Sequence, residues 1–306
     1  MEEQNNFKKG LNIYLYYLTI PAFVFFVLLN YFSRNIKIDA LDVGLMISVV
    51  SFLFGFLITI TFSMLLTKVS SLKDSLAVET GRLTSLFLLS KNLGQKFHGQ
   101  IVELIDTYTQ GTLREYRNYS ISREPVYSMY KATQLMEIET KHQEAQANSF
   151  FYILGELEPT REKIEYLTGR HVEWSLKFSN YLLGIILVVL LFLNRGDTFT
   201  NALFIILSTI IVFIFLIIED YDDLRIGDYS ANISNAEQLF DLMELPRYYP
   251  QDVLNRVRLE TGKRYRIGIR NDDGSERVLE LTYSPLVGMK LKHLIERIRR
   301  RKTGKN

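Results

Sequence analysis

Apolar and charged positions fall in blocks along this chain. No Asp, Glu, Lys or Arg occurs from Gly10 to Ser33, from Val43 to Thr67, from Phe178 to Asn194 or from Thr198 to Ile218, runs of 24, 25, 17 and 21 residues. All four are strongly apolar. At about 1.5 Å per residue even the shortest, extended slightly by its flanks, reaches across a hydrocarbon core of about 30 Å, so each predicts a membrane-spanning helix. The first run is too long for the apolar part of a cleavable signal and no small-x-small cleavage site follows it, so it is expected to stay as a helix.

These runs predict an all-α membrane protein with four transmembrane helices, a helical cytoplasmic domain, and a small C-terminal β-hairpin followed by a basic helix. The expected organisation is a head with two spans over residues 1–67 (about 11–32 and 43–67), a helical segment over 68–177, two further spans within 178–218, and a tail over 219–306. The tight connections Arg34 to Asp42 and Arg195 to Asp197 must share one side, and they hold three Lys/Arg against 33 elsewhere. Lys8, Lys9, Lys68, Lys73, Lys177 and Arg225 lie beside the spans and place both termini in the cytoplasm of a multi-pass cell-membrane protein. Tyr14, Tyr16, Tyr17, Tyr181 and Tyr221 then fall near the inner interface, and Tyr31, Phe32 and Phe199 near the outer one.

The segment 68–177 carries 14 basic and 14 acidic residues. Leu72, Leu76, Leu83 and Leu86, then Ile101, Leu104 and Tyr108, recur at helical spacings, as in a solvated bundle. The second span is expected to run on into this segment as one long helix, and the stretch from Thr160 to run unbroken into the third span. Breaks are expected at Asn92-Leu93-Gly94, around Glu124-Pro125, and from Gly155 to Pro159. In the tail, Tyr265, Ile267 and Ile269 alternate with basic residues, and Leu279, Leu281 and Tyr283 with Glu280 and Thr282. Asn271-Asp272-Asp273-Gly274 between them completes a β-hairpin over 264–283. A helix over 286–301 follows, with Leu291, Leu294, Ile295 and Ile298 on one face. Its basic end, Arg299, Arg300, Arg301 and Lys302, is either a solvated helix end or a contact to anionic lipid headgroups.

Composition sharpens this picture by exclusion. Over 306 residues the hydrophobic share is 47%, the charged share 23% and the net charge +2, averages that alone resemble a soluble globule. Of the 36 Lys/Arg and 34 acids, 31 and 29 lie in residues 68–177 and 219–306, so neutrality is struck within those segments. It gives no attraction to nucleic acid, which is not expected as a partner. With zero cysteines there is no disulfide, thiolate zinc site or cysteine nucleophile. No Gly-x-Ser-x-Gly, His-Glu-x-x-His or phosphate-binding glycine loop occurs, and His98, His142, His171 and His293 are scattered. An enzyme is therefore not expected.

Two constellations remain. In the second span Ser48, Ser51, Gly55, Thr59 and Ser63 recur at spacings of three, four, four and four, one face of one helix. Such a stripe serves close helix packing, or it lines a path where water and ions replace hydrocarbon, with Phe52 and Phe56 beside it as a constriction. Directly after the fourth span, Glu219, Asp220, Asp222 and Asp223, with Asp228 shortly beyond, oppose the negative end of the helix dipole. Three answers stay open: a hard cation such as calcium, the only cofactor the sequence offers; an arginine such as Arg225 or Arg82; or solvent.

The order of these features resembles the bestrophin-like membrane proteins. The resemblance rests on Ser51-Phe-Leu-Phe-Gly-Phe-Leu, on Thr67-Lys68 to Glu79-Thr-Gly-Arg82-Leu, and on the acidic run ending Gly227-Asp228-Tyr229, and it covers about Ile20 to Leu245. It implies a pentameric, anion-conducting channel in the lipid bilayer, opened by calcium. Carried over by position, pore lining falls on Ser48, Ser51, Phe52, Gly55, Phe56 and Thr59, with Ser63 continuing the stripe. The calcium clasp falls on Glu219, Asp220, Asp222 and Asp223. The chain departs from the bestrophins proper at Thr61-Phe-Ser-Met-Leu-Leu and at Leu224-Arg-Ile-Gly227. The alternative is a membrane-anchored signalling or interaction protein whose cytoplasmic helices and tail bind a partner.

Overall fold

A computed structural model describes residues 3–33, 43–115, 118–223, 228–254, 257–270 and 276–284. The chain is mostly helical: α1 (Glu3–Phe32), α2 (Val43–Ser90), α3 (Gln95–Arg114), α4 (Arg123–Ala132), α5 (Lys141–Gly169), α6 (Trp174–Leu193), α7 (Thr198–Asp222) and α8 (Asp228–Leu242), with strands β1 (Arg247–Pro250), β2 (Arg264–Arg270) and β3 (Glu276–Thr282). It divides into two compact units, one of Met1–Ser71 and Arg170–Asp228, the other of Leu72–Gly169 and Tyr229–Asn306. The expected turn 271–274 and the basic helix 286–301 lie outside the described residues.

In the first unit, among the described residues, three helices are long and apolar enough to cross a membrane: α2, α7 and the apolar stretch that ends at Leu193 with α6. The apolar part of α1, Tyr17–Phe32, is shorter. α1 and α6 both pack along α7. Phe26, Phe54, Ile58, Leu65, Leu187, Leu191, Phe204, Ile211 and Ile218 make the core. Asp197 opens α7 with a reciprocal cap, its carboxylate accepting the Thr200 N–H at 2.7 Å, which satisfies backbone donors that helix formation strands. Gly184 sets the approach of α6 to α7, because a Cβ there would collide with the ring of Phe215. Buried Asn180 on α6 donates to the Thr61 hydroxyl of α2 at 2.7 Å.

The expected continuous helix from Thr160 into the third span is overturned: α5 stops at Gly169 and residues 170–173 are not helical. Leaving the helix frees the Val172 N–H to donate to the Asp222 carboxylate at 2.8 Å.

The second unit is built on α3, whose buried face is Phe97, Ile101, Ile105 and Tyr108, and on α5, where Ala147, Phe150, Leu154, Leu157 and Ile164 recur at three and four. The expected face Leu72, Leu76, Leu83 and Leu86 of α2 is buried, as are Ile101 and Tyr108, and Leu104 is half-buried. As expected, α2 runs on as one 48-residue helix past Thr67 and stops before Asn92-Leu93-Gly94, where Gly94 takes φ 106. Pro125 sits in the first turn of α4, where its missing N–H costs nothing. The break expected from Gly155 to Pro159 is not there. Pro159 lies inside α5, where the bond it cannot make is to Gly155, and buried Leu154, Leu157 and Ile164 on both sides hold the helix together.

The expected hairpin is present as antiparallel β2 and β3, with Arg264 opposite Thr282 and Ile267 opposite Leu279. It belongs to a three-stranded sheet, order β1-β2-β3, because β1 pairs with β2 in parallel. Tyr265, Ile267 and Ile269 point into the core beside Tyr248, Tyr249 and Phe240. Arg266 on the other face of β2 grips Asp106 of α3 with two bonds of 2.6 and 2.7 Å.

Candidate functional site

The five residues of the predicted stripe, Ser48, Ser51, Gly55, Thr59 and Ser63, and the flanking Phe52 and Phe56 are exposed along α2, over roughly 22 Å of helix. The residues α2 contributes to the core, Phe54, Ile58, Thr61 and Leu65, lie roughly 120° round the helix from them. Among the described residues nothing comes within 4 Å of a Cβ placed on Gly55, so the described helices do not use the glycine for close packing. Ser48 and Thr59 turn their hydroxyls back to the carbonyls of Gly44 and Gly55, at 3.0 and 2.8 Å, so the polar groups are satisfied locally until something wet replaces that bond. Phe52 is 73% exposed and Phe56 58%, whereas Phe54 meets Phe215 edge to face at 5.9 Å. Only 6% of the apolar window of α2 is buried, against 22% for each of the other two.

The acidic residues at the end of α7 meet lysines. The side chain of Asp222 is fully enclosed. One of its oxygens accepts the Val172 N–H at 2.8 Å and lies 3.8 Å from the Lys68 ammonium; the other takes the Lys177 ammonium at 2.6 Å and Nδ1 of His171 at 3.3 Å. Lys177 also reaches both oxygens of Glu219, at 3.2 and 3.1 Å, and the Tyr181 hydroxyl donates to Glu219. Lys68 donates to the main-chain carbonyl of Asp222 at 3.1 Å, answering the negative end of α7. Asp220 is buried and Asp223 half-buried. Among the described residues no three His, Asp or Glu side chains are grouped to hold a metal ion.

Of the two arginines named among the open answers to this cluster, Arg82 binds Glu156 of α5, with 3.0 Å between guanidinium and carboxylate. Arg225 lies outside the described residues, as do the headgroup candidates Arg299, Arg300, Arg301 and Lys302. His98 meets Ser90 and His142 meets Gln146, so the described histidines remain apart.

One further constellation was not singled out by sequence. Glu79, twelve residues and roughly 18 Å past the end of the charge-free stretch of α2, is buried in the second unit. Tyr119 donates to it at 2.6 Å and Tyr108 donates to its other oxygen. Burial pushes the carboxyl up to about 7, although both hydroxyls and the charge of Arg161 pull it down. The same burial, with Glu79 beside it, pushes the Tyr108 hydroxyl well up. Arg161 is itself buried and pairs with Glu165 at 2.7 Å, and Arg123 binds the other oxygen of Glu165 at 2.8 Å, which holds that carboxyl below its usual range. Sequence offered one signal: Glu79 falls on the same helix face as Leu72, Leu76, Leu83 and Leu86, whereas Asp74 lies on the opposite one.

Against known proteins, the profile of a family described as Bestrophin-like domain matches residues 17–234. No curated protein and no solved structure matches the chain.

Proposed function

The chain belongs to the bestrophin-like family, and from that premise we propose that it is an ion channel that conducts anions through a pore formed by several copies of α2. The observation that carries the proposal is the orientation of α2: its hydroxyl and glycine stripe faces away from the helices of its own unit. A polar helix face in lipid calls for another helix or for water, and a ring of copies supplies both. In this reading Ser48, Ser51, Gly55, Thr59 and Ser63 line the path, and Phe52 and Phe56 narrow it by excluding water. The chain spans the cell membrane four times with both termini and the second unit in the cytoplasm, α1 being the fourth span. Anions, lipid and further copies of the chain are its partners, and no catalytic step is proposed.

Calcium is given no step. It takes six to eight oxygen ligands, and the oxygens of Asp222 and Glu219 already carry lysine, backbone and tyrosine donors. Of the four residues carried over as a calcium clasp, Glu219 and Asp222 do not fit that role.

The test is flux. Purified protein in liposomes with a chloride-sensitive dye is expected to discharge a chloride gradient, and to run as a ring of copies in detergent. Absence of flux from folded, oligomeric protein refutes the channel. A monomer in detergent favours instead a membrane-anchored protein whose second unit binds a partner.

A further inference from the structure

Lys68 and Lys177 bring two positive charges to Glu219 and Asp222, so these four groups balance. Each lysine comes from a different helix, Lys68 from α2 and Lys177 from α6, and Asp222 also fixes the chain before α6 through Val172. Three helices of one unit are thus joined through one enclosed carboxylate. A divalent ion placed between Glu219 and Asp222 would meet the Lys177 ammonium, which sits 2.6 Å from one and 3.1 Å from the other. Like charges at that range repel strongly away from bulk water, so ion and lysine exclude each other.

We propose that Lys177, seconded by Lys68, is a built-in cation that locks α2, α6 and α7 together, and that this node stands without calcium. Lys177 is a positioning residue: it touches no conducted ion and sets where three helix ends meet. A lysine in this place also makes the acidic run after the fourth span compatible with a stable helix end, since each uncompensated carboxylate there is unfavourable. The proposal concerns the stability of the node and is independent of whether the chain conducts.

The full-length protein in detergent tests it. Wild type is expected to melt at the same midpoint in millimolar calcium chloride and in EDTA. Lys177→Met keeps the aliphatic stem and removes the charge; it is expected to melt lower in EDTA and to recover part of the loss in calcium, because Glu219 and Asp222 are then free for a divalent ion. Lys177→Arg is expected to keep most of the wild-type midpoint. A wild-type midpoint raised by calcium overturns the proposal, and so does a Lys177→Met protein as stable in EDTA as wild type. Should Lys177→Met fail to fold, calorimetric titration of calcium into wild type decides alone: no saturable heat is expected, and stoichiometric binding overturns the lock.

Discussion

Replacing Glu79 by Gln isolates one buried proton. With its folded-state carboxyl raised from 4.5 to about 7, the protonated form of Glu79 stabilises the fold; that contribution is complete below pH 4.5 and is lost as pH rises through 7. The full shift corresponds to roughly 3 kcal/mol at about 1.4 kcal/mol per unit, and the part lost between pH 5.5 and pH 8 to roughly 2 kcal/mol. For a body of this size that moves a melting midpoint by about 4–8 °C. Gln keeps the shape, its carbonyl accepting from one tyrosine and its amide donating to the other, and it carries no charge at any pH. Near-ultraviolet circular dichroism follows the unit directly, since Tyr108 and Tyr119 bond the substituted side chain. Glu79→Gln is expected to match wild type at pH 5.5, to melt above it at pH 8, and to flatten the difference in between. Every other titratable group is common to both proteins and cancels on subtraction. Parallel pH profiles for the two proteins, or a Glu79→Gln protein that melts below wild type at pH 8, would refute the reasoning.

Other substitutions probe the remaining elements. Gly184→Ala puts a methyl into the ring of Phe215 and is expected to lower stability by about 1–3 kcal/mol as α6 is pushed from α7, read as a lower melting midpoint in detergent. Arg266→Ala strands Asp106 and loses the bidentate contact, at a cost of about 2 kcal/mol, while Arg266→Lys recovers less than half because one ammonium cannot bridge both oxygens as the guanidinium does; chemical unfolding measures both. Phe52→Ala with Phe56→Ala touches exposed rings, so the midpoint is expected to hold while liposomal chloride flux rises several-fold; unchanged flux removes the constriction from the proposed pore.

Helices and the hairpin were legible because their signals are local. The leucine face of α2 and the alternation of Tyr265, Ile267 and Ile269 need only neighbours a few residues away, and structure follows them. What sequence missed depends on distant partners. Strand β1 is four residues ending in Pro250, too short to read alone, and it exists because β2 pairs with it in parallel from eighteen residues further on. The stop before α6 is decided by Asp222, fifty residues downstream of Val172. The acidic run was recognised as needing a cation, yet Lys68 and Lys177 read as ordinary flanking charges, since nothing in their spacing points 154 or 45 residues along the chain. Pro159 read as a breaker because its effect is local, whereas the packing that carries α5 past it is not.

The interleaving of the two units constrains how the protein is made. Asp106 and Arg266 are separated by 160 residues, and the core that holds Phe97 and Phe150 is closed by Phe240 and Tyr265, which leave the ribosome only after α6 and α7. A nascent chain that has just delivered its last apolar helix therefore carries a half-built bundle with its aromatic face open. Completion of this core waits for residues that follow α7, so folding of this part is expected to be slow and to call for chaperone cover. Ending the chain shortly after α7 would leave that face permanently unsealed, so expression and solubility of such truncations should collapse even though every apolar helix is intact.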